Sequence, residues 1–348
     1  MATGDRRTAY DGQAMSVTSI DPLTIAGATA WTRDAGTTAP GWSPADGWRC
    51  VRGADGTGIA WRRDAPAGPP ARVPVVLCNG IACSTHYWTD LAAQLADERP
   101  VVQWDYRAHG RSEPPSDRSA VTVDDTMGDL DAVLAAAGVR RAVVAGHSFG
   151  VQVALEAARR RPDLVAGVVA VAGAAGTPLP RGATRPRVGA LDLVERAHGR
   201  LQGRAEDVWR AWWHSPVLHL VARALGGTSA AAPREIMTSY YEHVSTRDIS
   251  MLLAMLRSMA DHDATDVLPT LPVPFLAVAG AADRLTPLPV MARMALMAPD
   301  GELAVRHGGT HTLPAEHPVW LARQFEALLR RLDARYAGRN RRRVEDPT

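Results

Sequence analysis

AVVAGHSFG, residues 142–150, is the stretch that decides the fold. A short apolar run ends in Gly146-His147-Ser148-Phe149-Gly150, and an alanine-rich helical stretch from Val151 to Arg161 follows at once. Strand, sharp turn and helix are the context that gives G-x-S-x-G its meaning, because the serine hydroxyl must stand clear of the sheet. Glycines at both ends leave room for strained dihedrals and for close approach of helix to strand. The turn also sets the Phe149 amide and a helix start beside Ser148, where a developing oxyanion would be stabilised.

A free serine hydroxyl is too weak an acid to attack unaided, so Ser148 needs a base and a group to orient that base. In a site of this kind they follow in the chain order serine, carboxylate, histidine. Residues 273–287, VPFLAVAGAADRLTP, hold a buried-type strand running into Gly280, with Asp283 in the loop beyond it. Residues 302–314 repeat the arrangement: ELAVRH reads as a strand and GGTHTLP as a loop carrying His311. The first interval has space for an inserted segment, the second for one helix and one strand.

With these motifs quoted, the chain resembles the α/β-hydrolase family, of the serine-nucleophile, helical-cap type. Asp283 matches the family's G-x-x-D-x-x-x-P acid loop, with Gly280 and Pro287 in place, and His311 matches its terminal G-x-x-H loop. The segment from Asp105 to Ser112 resembles D-x-R-G-H-G-x-S, with Ala108 where a glycine is usual. The resemblance covers roughly residues 48–175 and 265–335. It implies a second oxyanion donor in the loop after the third strand, where the Ile81 amide would pair with that of Phe149. Asn79-Gly80 stands where the family usually has His-Gly. The backbone donor survives that change, but Asn79 brings a donor and an acceptor to the pocket and becomes a candidate substrate contact.

Other polar residues compete for a role. His109 lies near the site in a segment that is structural in the resembling family. His307 falls at a strand end, and His317, between Glu316 and Pro318, suits a helix start. Asp261, His262 and Asp263 resemble a metal cluster, but they share one helix end without further ligands nearby, so a solvated face is the reading preferred.

Periodicity and breakers give an α/β class. Trp48 to Arg52 and Thr57 to Arg63 flank Gly53-Ala54-Asp55-Gly56 as an antiparallel hairpin. Strands alternating with helices then imply a mostly parallel sheet covered on both faces, which the resemblance makes of the eight-stranded type. Residues 46–175 and 265–337 form this core, and residues 176–264, helical in pattern and nearly free of strand signal, read as an inserted helical cap. Trp209, Trp212, Trp213, Tyr240 and Tyr241 are concentrated there, and Trp212 and Trp213 are taken as candidate substrate contacts. Met251, Met255 and Met259 share one helix face, with cap core as the default reading and substrate contact as the alternative.

Composition excludes several classes. The 348 residues carry 39 Lys+Arg against 37 Asp+Glu, a formal net charge of +2, so nothing draws the chain to nucleic acid. All of those basic residues are arginine, which excludes a lysine Schiff base and a serine–lysine dyad. No segment approaches the roughly 18 apolar residues of a membrane span, and the N-terminus lacks a signal peptide's apolar region. Cys50, Cys78 and Cys83 lack metal spacing and read as buried free thiols in a reducing compartment, which makes a cytoplasmic enzyme the expectation. Residues 1–45 read as a loose leader, with Met15 an alternative start, and residues 338–348 as a basic, frayed tail.

No metal, nucleotide or flavin motif occurs, so no cofactor is expected. The expected activity is hydrolysis of a carboxylic ester or lactone of a small to medium, largely apolar substrate, with water as acyl acceptor. The resembling epoxide hydrolases and haloalkane dehalogenases carry aspartate where this chain has Ser148. Thioesterase, acyltransferase and C–C bond hydrolase remain open on the same residues; Gly150-Val151 in place of the Gly-Gly typical of C–C hydrolases disfavours the last. A ligand-binding protein that kept the fold without turnover is the alternative of another class.

Overall fold

Eight apolar runs become the strands of one sheet, in the spatial order β1-β2-β4-β3-β5-β6-β7-β8. They are β1 (Trp48–Arg52), β2 (Gly58–Asp64), β3 (Val75–Cys78), β4 (Val101–Trp104), β5 (Ala142–His147), β6 (Val165–Val171), β7 (Phe275–Gly280) and β8 (Gly301–Arg306). β2 pairs antiparallel with both β1 and β4, and every other pairing is parallel. The computed structural model describes residues 47–66, 72–176, 196, 200, 203–224 and 226–345. The expected leader and alternative start, and the helical pattern at 190–201 save residues 196 and 200, lie outside the described residues.

Strands with both faces covered read as continuous apolar runs, and alternate residues then serve opposite cores. In β5, Val144 faces one cluster and Val143 the other. The first layer comprises α2 (Val123–Ala136), α3 (Phe149–Arg160) and α8 (Leu288–Met297), which pack Leu130, Leu155 and Met291 on the sheet. The second is α1 (Thr89–Ala96) and α10 (Pro318–Glu345), with Leu91, Phe325 and Leu329 buried. Local signals set the helix starts: Thr122 and Asp125 form a reciprocal capping box at α2. The basic segment 338–343, expected to fray, is helical and continues α10 through Gly338 and Asn340 to Glu345.

Between β6 and β7 the chain forms α4 (Gly203–Trp213), α5 (Pro216–Ala224), α6 (Arg234–Ser245) and α7 (Ile249–Asp261), with no strand among the described residues. The helical character expected of this insertion is present, but α7 departs from the rest. Its Met251 and Met255 are buried in the same cluster as Met127 and Leu130 of α2, and Met259 packs against that cluster. The methionine face is therefore core beneath the insertion.

The strand order positions the site. After β3 the chain runs to β4 on one side and to β5 on the other, so the sheet has its switch point between β3 and β5. In open α/β sheets a crevice forms there, beyond the carboxyl ends of the strands. The loop after β3 and the turn after β5 meet at that switch point, with Gly80 beside Ser148.

Candidate active site

Ser148 lies between β5 and α3 with φ 53° and ψ −116°, a conformation that costs a non-glycine residue of order 1–3 kcal/mol. The packing around it enforces that geometry. A Cβ on Gly146 would sit 2.0 Å from the Gly150 carbonyl oxygen, and one on Gly150 would sit 2.3 Å from that of Cys78, so neither position accepts a side chain. A serine at a helix N-cap ordinarily turns its hydroxyl back to the first-turn amides. Ser148 makes no such cap bond; its Oγ lies instead 3.0 Å from Nε2 of His311.

His311 follows β8, and its Nδ1 lies 3.0 Å from Oδ2 of Asp283, which follows β7. The acid is itself held: Oδ1 accepts from the amides of Leu285 (2.8 Å) and Thr286 (3.0 Å), and the Thr286 hydroxyl donates to Oδ2 at 2.6 Å. Burial works against the Asp283 charge, but hydrogen bonding and charge from His311, with bonds from Thr286, outweigh it and hold the carboxyl below its usual range. An Nδ1–H of His311 donating to a carboxylate leaves Nε2 free to accept the serine proton. The sequence thus placed Ser148, Asp283 and His311 in three separate loops, and the fold brings them into hydrogen-bond reach.

The loop after β3 comes up beside them. A Cβ on Gly80 would be 3.3 Å from the Ser148 Cβ. Among the described residues, neither the Ile81 nor the Phe149 amide donates a hydrogen bond, so both are available at the switch point. The next amide, that of Ala82 at φ 58°, donates to Nε2 of buried His109 at 3.0 Å. His109 in turn donates from Nδ1 to the Arg107 carbonyl, 2.9 Å away, and so ties the loop to the 105–112 segment. That segment is rigid because Arg107 forms two 2.7 Å bonds with buried Asp129. Ala108 has φ 59°, a left-handed conformation that fits the glycine usual there and is strained for alanine.

The remaining candidates fall elsewhere. Asn79 is 1% exposed; its side-chain amide donates to the Trp104 carbonyl at 2.7 Å and its backbone carbonyl accepts from the Tyr106 hydroxyl, so it fastens the loop. Trp212 is 45% exposed on the outer side of α4. Trp213 packs against Tyr240 at 5.8 Å between ring centroids, and Tyr240 against Tyr87 at 5.5 Å, so of the two tryptophans it is the one connected towards the site. His307 is exposed just past β8, and His317 sits between α9 (Leu313–Glu316) and α10. His262 pairs with Glu156 at 3.2 Å, and the described residues hold no group of side chains fit to bind a metal ion. Cys78 and Cys83 are buried, as expected, with burial pushing both thiols up to about 12, whereas Cys50 is exposed. A crevice of about 420 Å³ opens between the end of α5 and the loops after β7 and β8, with Asp283 in its wall. Ser148 is not among its lining residues, so it is not the crevice of the switch point.

Three supports escaped sequence reading, two of them because they act across the fold. Glu316, 7% exposed, accepts from the Thr310 amide (2.8 Å) and the Thr310 hydroxyl (2.6 Å), and so fixes the loop that carries His311. The His311 amide donates to the Gly226 carbonyl at 3.2 Å, which anchors that loop to the inserted helices. His147, beside the nucleophile, bonds the His311 carbonyl. The only hint of the first was a carboxylate close behind two threonines flanking His311.

Burial also dictates an acid limit. It is the leading cause that lowers His86 and His147 to about 3, His109 to about 4, and His243 well below 6.5. Because the unfolded chain takes up these protons first, stability falls as pH drops below 6.5 and continues to fall to about 4, by about 1.4 kcal/mol per pH unit for each of His86, His109 and His147. Thermal midpoints measured from pH 8 to pH 4.5 should be level above pH 7 and drop steeply below pH 6. A level profile through pH 5 would mean that these rings are not buried in neutral form.

Comparison with known proteins agrees with this fold. A family model described as alpha/beta hydrolase fold matches residues 73–318. A Caulobacter segnis protein named as a carbamate hydrolase, RutD, is 26% identical over 250 residues, covering 71% of this chain and 87% of its own length. A pimeloyl-[acyl-carrier protein] methyl ester esterase from Methylococcus capsulatus is 32% identical over 220 residues, 62% of this chain and 78% of that one. Among solved structures, a thermophilic esterase from Thermogutta terrifontis superposes with a TM-score of 0.63 at 21% identity, covering 82% of this chain and 99% of that one.

Proposed function

The chain belongs to the α/β-hydrolase family, and from that premise we propose that it is a serine hydrolase cleaving carboxylic esters or lactones through an acyl-enzyme on Ser148. The observation that carries this reading is the relay Ser148 Oγ to His311 Nε2 and His311 Nδ1 to Asp283, each at 3.0 Å, on a hydroxyl withheld from capping its helix. As Oγ attacks the acyl carbonyl carbon, His311 takes its proton and Asp283 stabilises the imidazolium. The Ile81 and Phe149 amides receive the oxyanion, aided by the N-terminus of α3. His311 then protonates the leaving alcohol; water, deprotonated by the same ring, attacks the acyl-enzyme and frees the acid.

The names of the relatives support the class of bond. A methyl ester and a carbamate share an acyl carbon bearing a heteroatom leaving group, and a lactone is the same ester closed into a ring. Helices α4 to α6 act as the cap in this reading, with Trp213, Tyr240 and Tyr87 its aromatic link to the site and the source of a preference for apolar acyl chains.

Stopped-flow release of p-nitrophenol from acetyl, butyryl and octanoyl esters tests the proposal. A burst equal to the enzyme concentration, followed by slower turnover, is expected. Saturable binding of the ester without any burst would favour the non-catalytic binding protein.

A further inference from the structure

The relay explains what Asp283 and Ser148 do for His311, but not what fixes the backbone of His311 against the nucleophile. One side chain touches all three parts of the site. His147, the residue before Ser148, is 2% exposed, and its Nε2 lies 2.8 Å from the carbonyl oxygen of His311. A carbonyl only accepts, so Nε2 carries the hydrogen and donates it. The imidazole stacks on Tyr87 at 5.6 Å with a 20° tilt and meets Trp88 edge-on at 6.1 Å. The remaining nitrogen, Nδ1, is buried without a partner and faces the loop after β3, where a Cβ on Gly80 would come within 3.0 Å of it.

We propose, resting on the hydrolase reading above, that His147 is a positioning residue which sets the His311 loop against Ser148 by donating Nε2–H to the His311 carbonyl while its ring props the Gly80 loop. Each contact has a separate consequence. The hydrogen bond fixes His311 from behind, on the same loop that Glu316 fixes at Thr310. The ring keeps the loop carrying the Ile81 amide at its distance from Ser148, because Tyr87 and Trp88 leave the imidazole no alternative position. The Nε2–H bond survives protonation, but the packing of Nδ1 against the Gly80 loop requires a neutral ring. A protonated imidazole would aim a second N–H at Gly80 with no acceptor there, and would place a positive charge 5.2 Å from the ring of His311, which itself becomes positive during the reaction. A histidine fits where phenylalanine would prop without donating and asparagine would donate short of the carbonyl.

The consequence is a loss confined to the chemical step. A misplacement of about 1 Å in a reacting group can cost about 10²-fold in rate. His147→Phe keeps the shape and removes the donor, so kcat should fall about 10²-fold with KM within about threefold. His147→Gln reaches as far as Nε2 with an N–H donor and should recover to within about fivefold of the parent. His147→Asn should behave as the phenylalanine variant does.

The experiment measures kcat, KM and the rate of fluorophosphonate labelling at Ser148 for the parent and the three variants, with thermal midpoints alongside. Gln well above Asn and Phe, with labelling falling in parallel with kcat, is the expected result. Should the phenylalanine variant not fold, the Gln–Asn pair decides alone. Equal activity of Gln and Asn, or a folded Phe variant with unchanged kcat, overturns the proposal while the parent's labelling keeps the hydrolase reading intact. A folded parent protein that takes no label at Ser148 overturns both.

Discussion

Ser148→Ala should lower kcat for an activated ester by about 10⁴- to 10⁶-fold while the protein stays folded. The substitution removes a single oxygen whose side-chain partner among the described residues is His311. The elbow does not depend on that oxygen: it is enforced by Gly146 and Gly150, whose missing Cβ atoms allow β5, α3 and the end of β3 to meet. Alanine therefore inherits the same backbone with no new clash, and the thermal midpoint should stay within a few degrees. His311→Ala should cost as much, and the double variant little more than either single one, because a nucleophile and its base act as a unit. What remains is the contribution of the Ile81 and Phe149 amides and of binding. A Ser148→Ala protein with parental turnover would remove the acyl-enzyme from the account.

Asp283→Asn should cost about 10⁴-fold in kcat, the scale of losing the orienting carboxylate of a serine triad. The side chain keeps its size, and its carbonyl can still accept from the Leu285 and Thr286 amides. The change lies at the other end. Oδ2 now receives both the Thr286 hydroxyl and His311 Nδ1; an amide NH2 there offers donors, favouring the His311 tautomer with its hydrogen on Nε2. In that tautomer the ring donates towards Ser148 and cannot take its proton. Since Asp283 is held below its usual range, its charge stabilises the folded state above the carboxylate range, and that contribution is lost as pH falls through the lowered pKa. The asparagine variant should therefore also lose some thermal stability at pH 7, and lose less than the parent on acidification. Activity within tenfold of the parent would shift the orienting role to another carboxylate, with Glu316 the one that already holds the same loop.

What the sequence made legible is what local pattern controls. Gly146 to Gly150 forced an elbow, and the runs ending at Gly280 and Arg306 put Asp283 and His311 in loops at the same edge of a parallel sheet. Each is a short-range signal of apolar run, breaker and polar residue. The role of His147 was hidden because its partner lies on another element and depends on ring direction, whereas His109 sits, as read, in a structural segment. Asn79 misled for the same reason: its amide chemistry was readable, but its burial under Trp104 and Tyr106 was not. In α7 the methionine stripe was correctly periodic, yet periodicity does not say which layer a helix faces.

Intact-mass spectrometry after brief exposure to a fluorophosphonate, with Ser148→Ala and His311→Ala in parallel, tests the central claim most directly. One adduct is expected on the parent protein and none on either variant. An equal adduct on Ser148→Ala, or none on folded parent protein, would contradict it.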